Sequence, residues 1–334
     1  NICNENKLSN LERVYIMAHE LEMINGEAQM AYRASNGLPW HGLGVPVGDD
    51  MSPQEMMDAA GLNWGVEKVD TFFRFKGDNI ATGQQALVRE TDGKVLTQVG
   101  KNWNPVQNSE AFDFFTEFVA NGDMSMDTAG SLKGGQIVWA MADVRDGFSL
   151  FNGDEVKGYL LFSNPHQYGK AIDIKFVMER VVCNNTLAVA LNEGSQASVR
   201  VNHRQQFNPE RVKEILGVSH NKVEQFKEAA EFLGSRNYKR ETLEKFFGKI
   251  FGESTREDQT LSTTARRAME VTENQPGDNF RPGTWWNAYN AVTYMADHEL
   301  GRSADTRMTS AWFGNNANRK VKALDLALEM ADAN

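Results

Sequence analysis

The sequence predicts an α+β protein: an antiparallel, hairpin-rich sheet with packed helices, followed by a helical C-terminal region. Three observations predict it. Asp92-Gly93 and Gly134-Gly135 each stand between two strand-like runs, a strong short-range hairpin signal. From Pro209 onward the apolar pattern changes from alternation to helical spacing. The chain carries neither a Gly-rich dinucleotide fingerprint nor a phosphate-binding P-loop, and hairpins rather than alternating βα units argue against a Rossmann or P-loop enzyme.

The elements follow in order. Residues 1–16 are polar, Asn-rich and without periodicity, and Met17-Ala18-His19-Glu20 reads as a natural start. The first sixteen residues are therefore expected to be a translated leader or a disordered tail. Residues 53–60 read as a short helix, with Ser52 as N-cap and Pro53 at its first position. The stretch from Trp64 to Phe75 alternates as a strand, and residues 85–90 and 94–99 flank the first hairpin turn. Asn108 is expected to cap a helix reaching Ala120, with Phe112, Phe115 and Val119 along one side. Residues 126–132 and 136–144 flank the second turn; 156–163, 171–182 and 198–202 read as further strands. Residues 209–234, 240–251, 260–274, 284–300 and 318–332 read as helices, with Gly217 and Gly252 marking interruptions or ends. The expected organisation is a tail over 1–16, an α+β domain over 17–207 and a helical region over 208–334.

Composition narrows the classes. Of 334 residues, 41% are hydrophobic and 24% charged, the balance of a globular rather than a disordered chain. Only Cys3 and Cys183 are available for thiol chemistry, which argues against a disulfide framework and a cysteine-rich zinc module. No apolar run reaches membrane-spanning length, and no signal-peptide pattern opens the chain, so a cytosolic protein is expected. The net charge of −10 is uneven: residues 1–194 carry 15 Lys+Arg against 26 Asp+Glu, and the remainder carries 20 against 19. An acidic total argues against simple electrostatic coating of nucleic acid but is compatible with a local basic groove.

Several segments carry candidate chemistry. Residues 180–188 end a β-branched run at Cys183; Asn184 and Asn185 follow, and then an apolar pattern from Leu187 that reads as a helix start. Asn184 or Asn185 is suited to cap that helix, and a thiol there sits beside the positive end of its dipole. The segment therefore offers a nucleophile, an anion site or a turn. As a nucleophile, Cys183 needs a base from His41, His166 or His203, none at a diagnostic spacing. The spacing of His166, Cys183 and His203 is too loose for a metal set, and no metal or cofactor is expected.

Trp40 and His41 lie between Pro39 and Gly42, in a loop that either exposes its rings or plugs the end of the sheet. Lys101, Asn102 and Trp103 follow the first hairpin and combine a cation, an amide and a ring, which suits contact with a nucleic-acid backbone and base faces. The turn from Asn164 to Lys170 adds His166, Tyr168 and Lys170. Lys170, Lys175 and Arg180 then precede Arg200, His203 and Arg204. If these strands pair, the cations make one basic face; otherwise they are an ordinary solvated strand edge. In the helical region Trp285, Tyr289 and Val292 fall at core spacing. Residues 312–320 read as a polar loop, with Arg319 and Lys320 at the next helix start.

These segments resemble a known family. Pro39-Trp40-His41-Gly42-Leu43-Gly44, Val106-Gln107-Asn108 with Glu110-Ala111-Phe112, Thr128-Ala129-Gly130-Ser131-Leu132 with Gly134-Gly135, and Arg180-Val181-Val182-Cys183-Asn184-Asn185-Thr186-Leu187 carry the resemblance. The chain is similar, from about Met17 to the C-terminal helices, to the phage/plasmid-like family built on domain of unknown function 932. Members often show a His-Asx-Gly-Ser-like turn where this chain has His166-Gln167-Tyr168-Gly169.

The resemblance implies a mobile-element protein in a bacterial cytoplasm. The predicted sheet, backed by helices and carrying Asn-rich loops, is similar in outline to single-strand annealing recombinases, an analogy of fold alone. The function expected first is single-stranded DNA binding in a recombination or annealing role, by a homo-oligomer. Lys101, Lys170, Lys175, Arg180, Arg200 and Arg204 would contact the backbone, and Trp40, Trp103 and Tyr168 would stack on bases. Two alternatives stand beside it: an acidic protein that binds a host factor or blocks defence, and a cysteine-dependent enzyme centred on Cys183.

Overall fold

The computed structural model describes residues 20–333 except 38, 40–41, 145–146, 152, 181, 183–184, 189–197, 217–219, 255–260 and 302–303. The expectations for the leader, Trp40, His41, Cys183 and Asn184 lie outside the described residues. The strands are β1 (Met23–Ile24), β2 (Glu27–Ala28), β3 (Met30–Arg33), β4 (Val45–Val47), β5 (Val66–Phe75), β6 (Asp78–Arg89), β7 (Val95–Val99), β8 (Ser125–Leu132), β9 (Ile137–Asp143), β10 (Phe148–Leu150), β11 (Asp154–Pro165), β12 (Ile172–Arg180), β13 (Asn185–Ala188) and β14 (Ser198–Val201). The helices are α1 (Pro53–Ala59), α2 (Asn108–Ala120), α3 (Pro209–Leu216), α4 (His220–Ser235), α5 (Arg240–Phe251), α6 (Thr263–Asn274), α7 (Trp285–Tyr294), α8 (Ala304–Phe313) and α9 (Asn315–Asp332). Antiparallel hairpins with a helical C-terminal region make this an α+β fold.

Two compact units divide the chain, and neither is continuous in sequence. The first comprises residues 1–145, 160–175 and 198–215, the second 146–159, 176–197 and 216–334. The change of period near residue 208 marks where strands give way to helices, whereas the units are set by packing.

In the first unit β8 and β9 form the hairpin expected around Gly134-Gly135, with Leu132 opposite Ile137. Both glycines have positive φ (65° and 92°), a backbone region that L side chains rarely enter. β3 pairs antiparallel with β8 and parallel with β4; β9 neighbours β11, β11 neighbours β12, and Ile172–Lys175 of β12 pairs antiparallel with β14. α1 packs against α2, β8 and β3. The Ser52 side chain accepts from Glu55 N–H, while the Glu55 carboxylate accepts from Ser52 N–H, and Pro53 opens the helix as expected. Phe112, Phe114 and Phe115 of α2 are buried, and Phe114 meets Phe162 and Phe207 at 5.4 and 6.4 Å between ring centroids. Burying each such ring stabilises the fold by about 1.5–3 kcal/mol.

Besides the small β1-β2 pair, this unit holds a separate three-stranded sheet, β5-β6-β7. Asp92-Gly93 makes the expected turn. Arg89 locks it, donating to Asp92 at 2.6 Å and to Glu22 at 2.9 Å while nearly fully buried.

In the second unit α7 forms the centre of a helical core. Each residue from Trp285 to Thr293 is buried, and α4, α6 and α9 pack around it. The core spacing of Trp285, Tyr289 and Val292 is thus realised. Asp154, fully buried, accepts from Arg180 Nε at 2.7 Å and from Trp286 Nε1 at 2.9 Å. Arg180 also donates to the carbonyl of Gly277 at 2.7 Å.

Four local expectations need correction. Helix α2 begins at Asn108 itself and its N-cap is Gln107, whose N–H donates to Glu110 at 2.7 Å. The residues after Asn184 form strand β13 rather than a helix, because Asn185–Ala188 pairs antiparallel with Val177–Arg180. The segment read as 284–300 is α7 followed by a five-residue π turn, Met295–Glu299. The polar loop expected at 312–320 is instead the end of α8 and the start of α9; Lys320 is buried there and bonded to Asp297, and Arg319 lies over the Phe251 ring at 5.7 Å.

Candidate functional site

Four parts of the first unit meet at one open pocket of about 1030 Å³. The sheet supplies Gln84, Thr97, Gln98 and Val99. The loop after β7 supplies Gly100, Lys101, Asn102 and Trp103. Tyr168 comes from the turn between β11 and β12, and Arg204 from the loop after β14. Five sequence candidates, Lys101, Asn102, Trp103, Tyr168 and Arg204, thus line one cavity although they come from three places between residues 101 and 204. The described lining residues include two cations and no carboxylate.

Local hydrogen bonds fix the two main loops against each other. Asn104 N–H donates to the His203 carbonyl at 2.8 Å, and His203 Nδ1 meets the Asn104 carbonyl at 3.1 Å. A carbonyl only accepts, so Nδ1 carries the proton. The Trp103 and His203 rings stack with centroids 4.0 Å apart and an interplanar angle of 21°. Lys68 donates to the carbonyls of Lys101 and Trp103, each at 3.0 Å. Arg204 N–H donates to the Asn202 side chain at 3.0 Å. The pocket wall is therefore held by backbone and buried rings, while Lys101, Asn102 and Arg204 are exposed. Tyr168 is 63% exposed and is the open aromatic surface of the site.

The remaining candidates have other roles. His166 is fully buried; its Nε2 donates to Asn108 Oδ1 at 3.0 Å, and Asn108 Nδ2 donates to the carbonyls of Leu62 and Trp64. Burial and the nearby His203 push its pKa down to about 3, so the ring is neutral. His203 is also buried, and burial lowers its pKa, opposed by the carbonyls of Asn104 and Pro165. Neither ring is a surface ligand, contrary to the expectation. The expected pairing of the basic strands does occur. It sets Arg200 opposite Asp173, with Arg200 Nε and Lys175 Nζ at 3.7 and 3.6 Å from its carboxylate. That carboxylate partly neutralises the basic face. Lys170 is exposed, and its N–H closes the Tyr168 turn onto the Gln167 carbonyl. Arg180 is not on this face at all: it lies buried against Asp154 in the second unit.

Gln84, Thr97, Gln98 and Lys68 were not among the sequence candidates. Their alternation within β5, β6 and β7 marks only which residues share a face, and it takes the sheet pairing to bring them beside residues 100–104.

Among the described residues no group of three or more His, Cys, Asp or Glu side chains is arranged to hold a metal ion. No described helix is long and apolar enough to cross a membrane. No curated protein and no solved structure matches the chain. Residues 95–320, well over half of the chain and including most of the pocket lining, match the family described as Domain of unknown function (DUF932), and the protein belongs to that family.

Proposed function

We propose that the protein binds single-stranded nucleic acid in the pocket walled by Trp103, in the DNA metabolism of a phage or other mobile element. One observation carries the reading: Lys101, Asn102, Tyr168 and Arg204 converge on an open cavity whose described lining holds no carboxylate. A polyanion with flat rings needs cations along its backbone and an aromatic face for its bases. Lys101 and Arg204, with Lys170 in the turn that carries Tyr168, supply the first. Tyr168 supplies the second, and Gln84, Gln98 and Asn102 offer amides to base edges. A single strand fits this chemistry better than a duplex, since stacking on Tyr168 requires a base that is already splayed from its neighbours. The acidic total does not oppose the reading, because screening confines the field of distant carboxylates to about 10 Å.

An anisotropy titration of labelled oligothymidylate against the full chain, at two salt concentrations, tests it. Three phosphate contacts give a slope of log affinity on log salt of about −2. Absence of binding at low salt contradicts the reading.

A further inference from the structure

Exposed large apolar side chains concentrate on the arm formed by β5 and β6. Of the nine among the described residues, Val69, Phe72, Phe73, Phe75 and Ile80 lie there, each at least 40% exposed. β5 is an edge strand of its sheet. The start of that edge is covered from within: the Gln107 amide meets Val66 N–H at 2.9 Å and its carbonyl at 3.0 Å, and Lys68 is turned to the loop carbonyls. Beyond Lys68 no described strand pairs with the outer edge. A long apolar edge without proline is a template for another strand.

The geometry of β5 states which strand fits. The irregularity in the arm lies in β6: Asp70 pairs with Gln85 and Phe72 with Ala81, so the extra residues are on that side and β5 alternates without interruption. Val69, Thr71, Phe73 and Phe75 share one face, with Ile80 opposite Phe73; Asp70, Phe72 and Arg74 share the other. Over Val69–Phe75 the charge is polar, with Asp70 early and Arg74 late. Such a strand is complementary to itself when run antiparallel. A two-fold axis at Phe72 sets Asp70 opposite Arg74, and Val69 opposite Phe75, twice over.

We propose that a second copy of this chain pairs its β5 edge with this one over Val69–Phe75, joining the two arms into one four-stranded sheet. The contact is isologous, so it closes as a dimer and leaves no free edge at β5. Each copy places an Asp–Arg pair on one face and extends the Val–Phe stripe on the other.

Sedimentation equilibrium of the full chain, without nucleic acid, tests the proposal with Asp70→Arg, Arg74→Asp and the double swap. Asp70 and Arg74 are both exposed, and circular dichroism checks that each variant keeps its fold. The wild type dimerises. Each single reversal faces like charges across both symmetric pairs and raises the dissociation constant about tenfold or more. The double swap restores the wild-type value. A chain that stays monomeric at every concentration overturns the proposal and leaves the edge to a strand of another protein. Single reversals without effect, or a double swap that dimerises no better than the singles, also overturn it.

Discussion

The His203 imidazole stacks on the Trp103 indole at 4.0 Å, and this pair ties the loop after β7 to the loop after β14. Both rings are buried, so the stack is a hinge-pin of the pocket wall rather than a surface for ligand. Trp103→Ala removes a ring that is 6% exposed and costs about 3–5 kcal/mol of stability. Trp103→Phe keeps a ring over His203 and recovers most of that loss. Denaturant midpoints of the two variants check the order.

The buried histidines make stability depend on pH. Above the ordinary histidine value of 6.5, folded and unfolded chains both hold neutral rings and stability is complete. As pH falls below that value the unfolded chain binds protons that His166, with a folded pKa of about 3, does not bind. His203 is lowered in the same direction. Stability therefore falls with pH from about 6.5 downward, by up to about 1.4 kcal/mol per pH unit for each histidine. His166→Gln, whose amide can still donate to Asn108, removes its share of the slope. Denaturation at pH 7 and pH 5 measures this, and an unchanged slope in the variant would contradict the assignment.

In the second unit Asp154 is the common acceptor of Arg180 and Trp286. Asp154→Ala leaves a buried guanidinium without its counter-charge and an indole N–H without an acceptor. The expected loss is about 3–5 kcal/mol. Thermal unfolding of the variant checks it, and a change below about 1 kcal/mol would show that the carbonyls of Pro276 and Gly277 suffice for Arg180.

Local signals were legible where the chain folds on itself over short distances. The Asp92-Gly93 and Gly134-Gly135 hairpins, the Ser52-Pro53 helix start and the buried face of α7 all follow from neighbours within one element. The position of Arg180 was also written in the sequence. Ile172, Ile174, Phe176 and Met178 alternate to the buried face, and Arg180 continues their parity, so it belongs with them rather than with Lys175. Other features depend on distant partners. His166 finds Asn108 across 58 residues and His203 finds Asn104 across 99, and no spacing rule reports such pairs. Asn185–Ala188 is too short for its own period to show, and its pairing with Val177–Arg180 makes it a strand. The pocket was half legible: the residues of its loops stood out by chemistry, and those of β6 and β7 did not.

Single-strand binding in the pocket is tested by crosslinking of the full chain to a 5-iodouridine-substituted oligothymidylate, with the modified peptide identified by mass spectrometry. The expected result is a crosslink at Tyr168, the exposed ring of the pocket, and its loss together with most of the binding in the Lys101→Glu, Arg204→Glu double variant. Binding that survives in this variant, with crosslinks confined to residues outside the pocket, would contradict it.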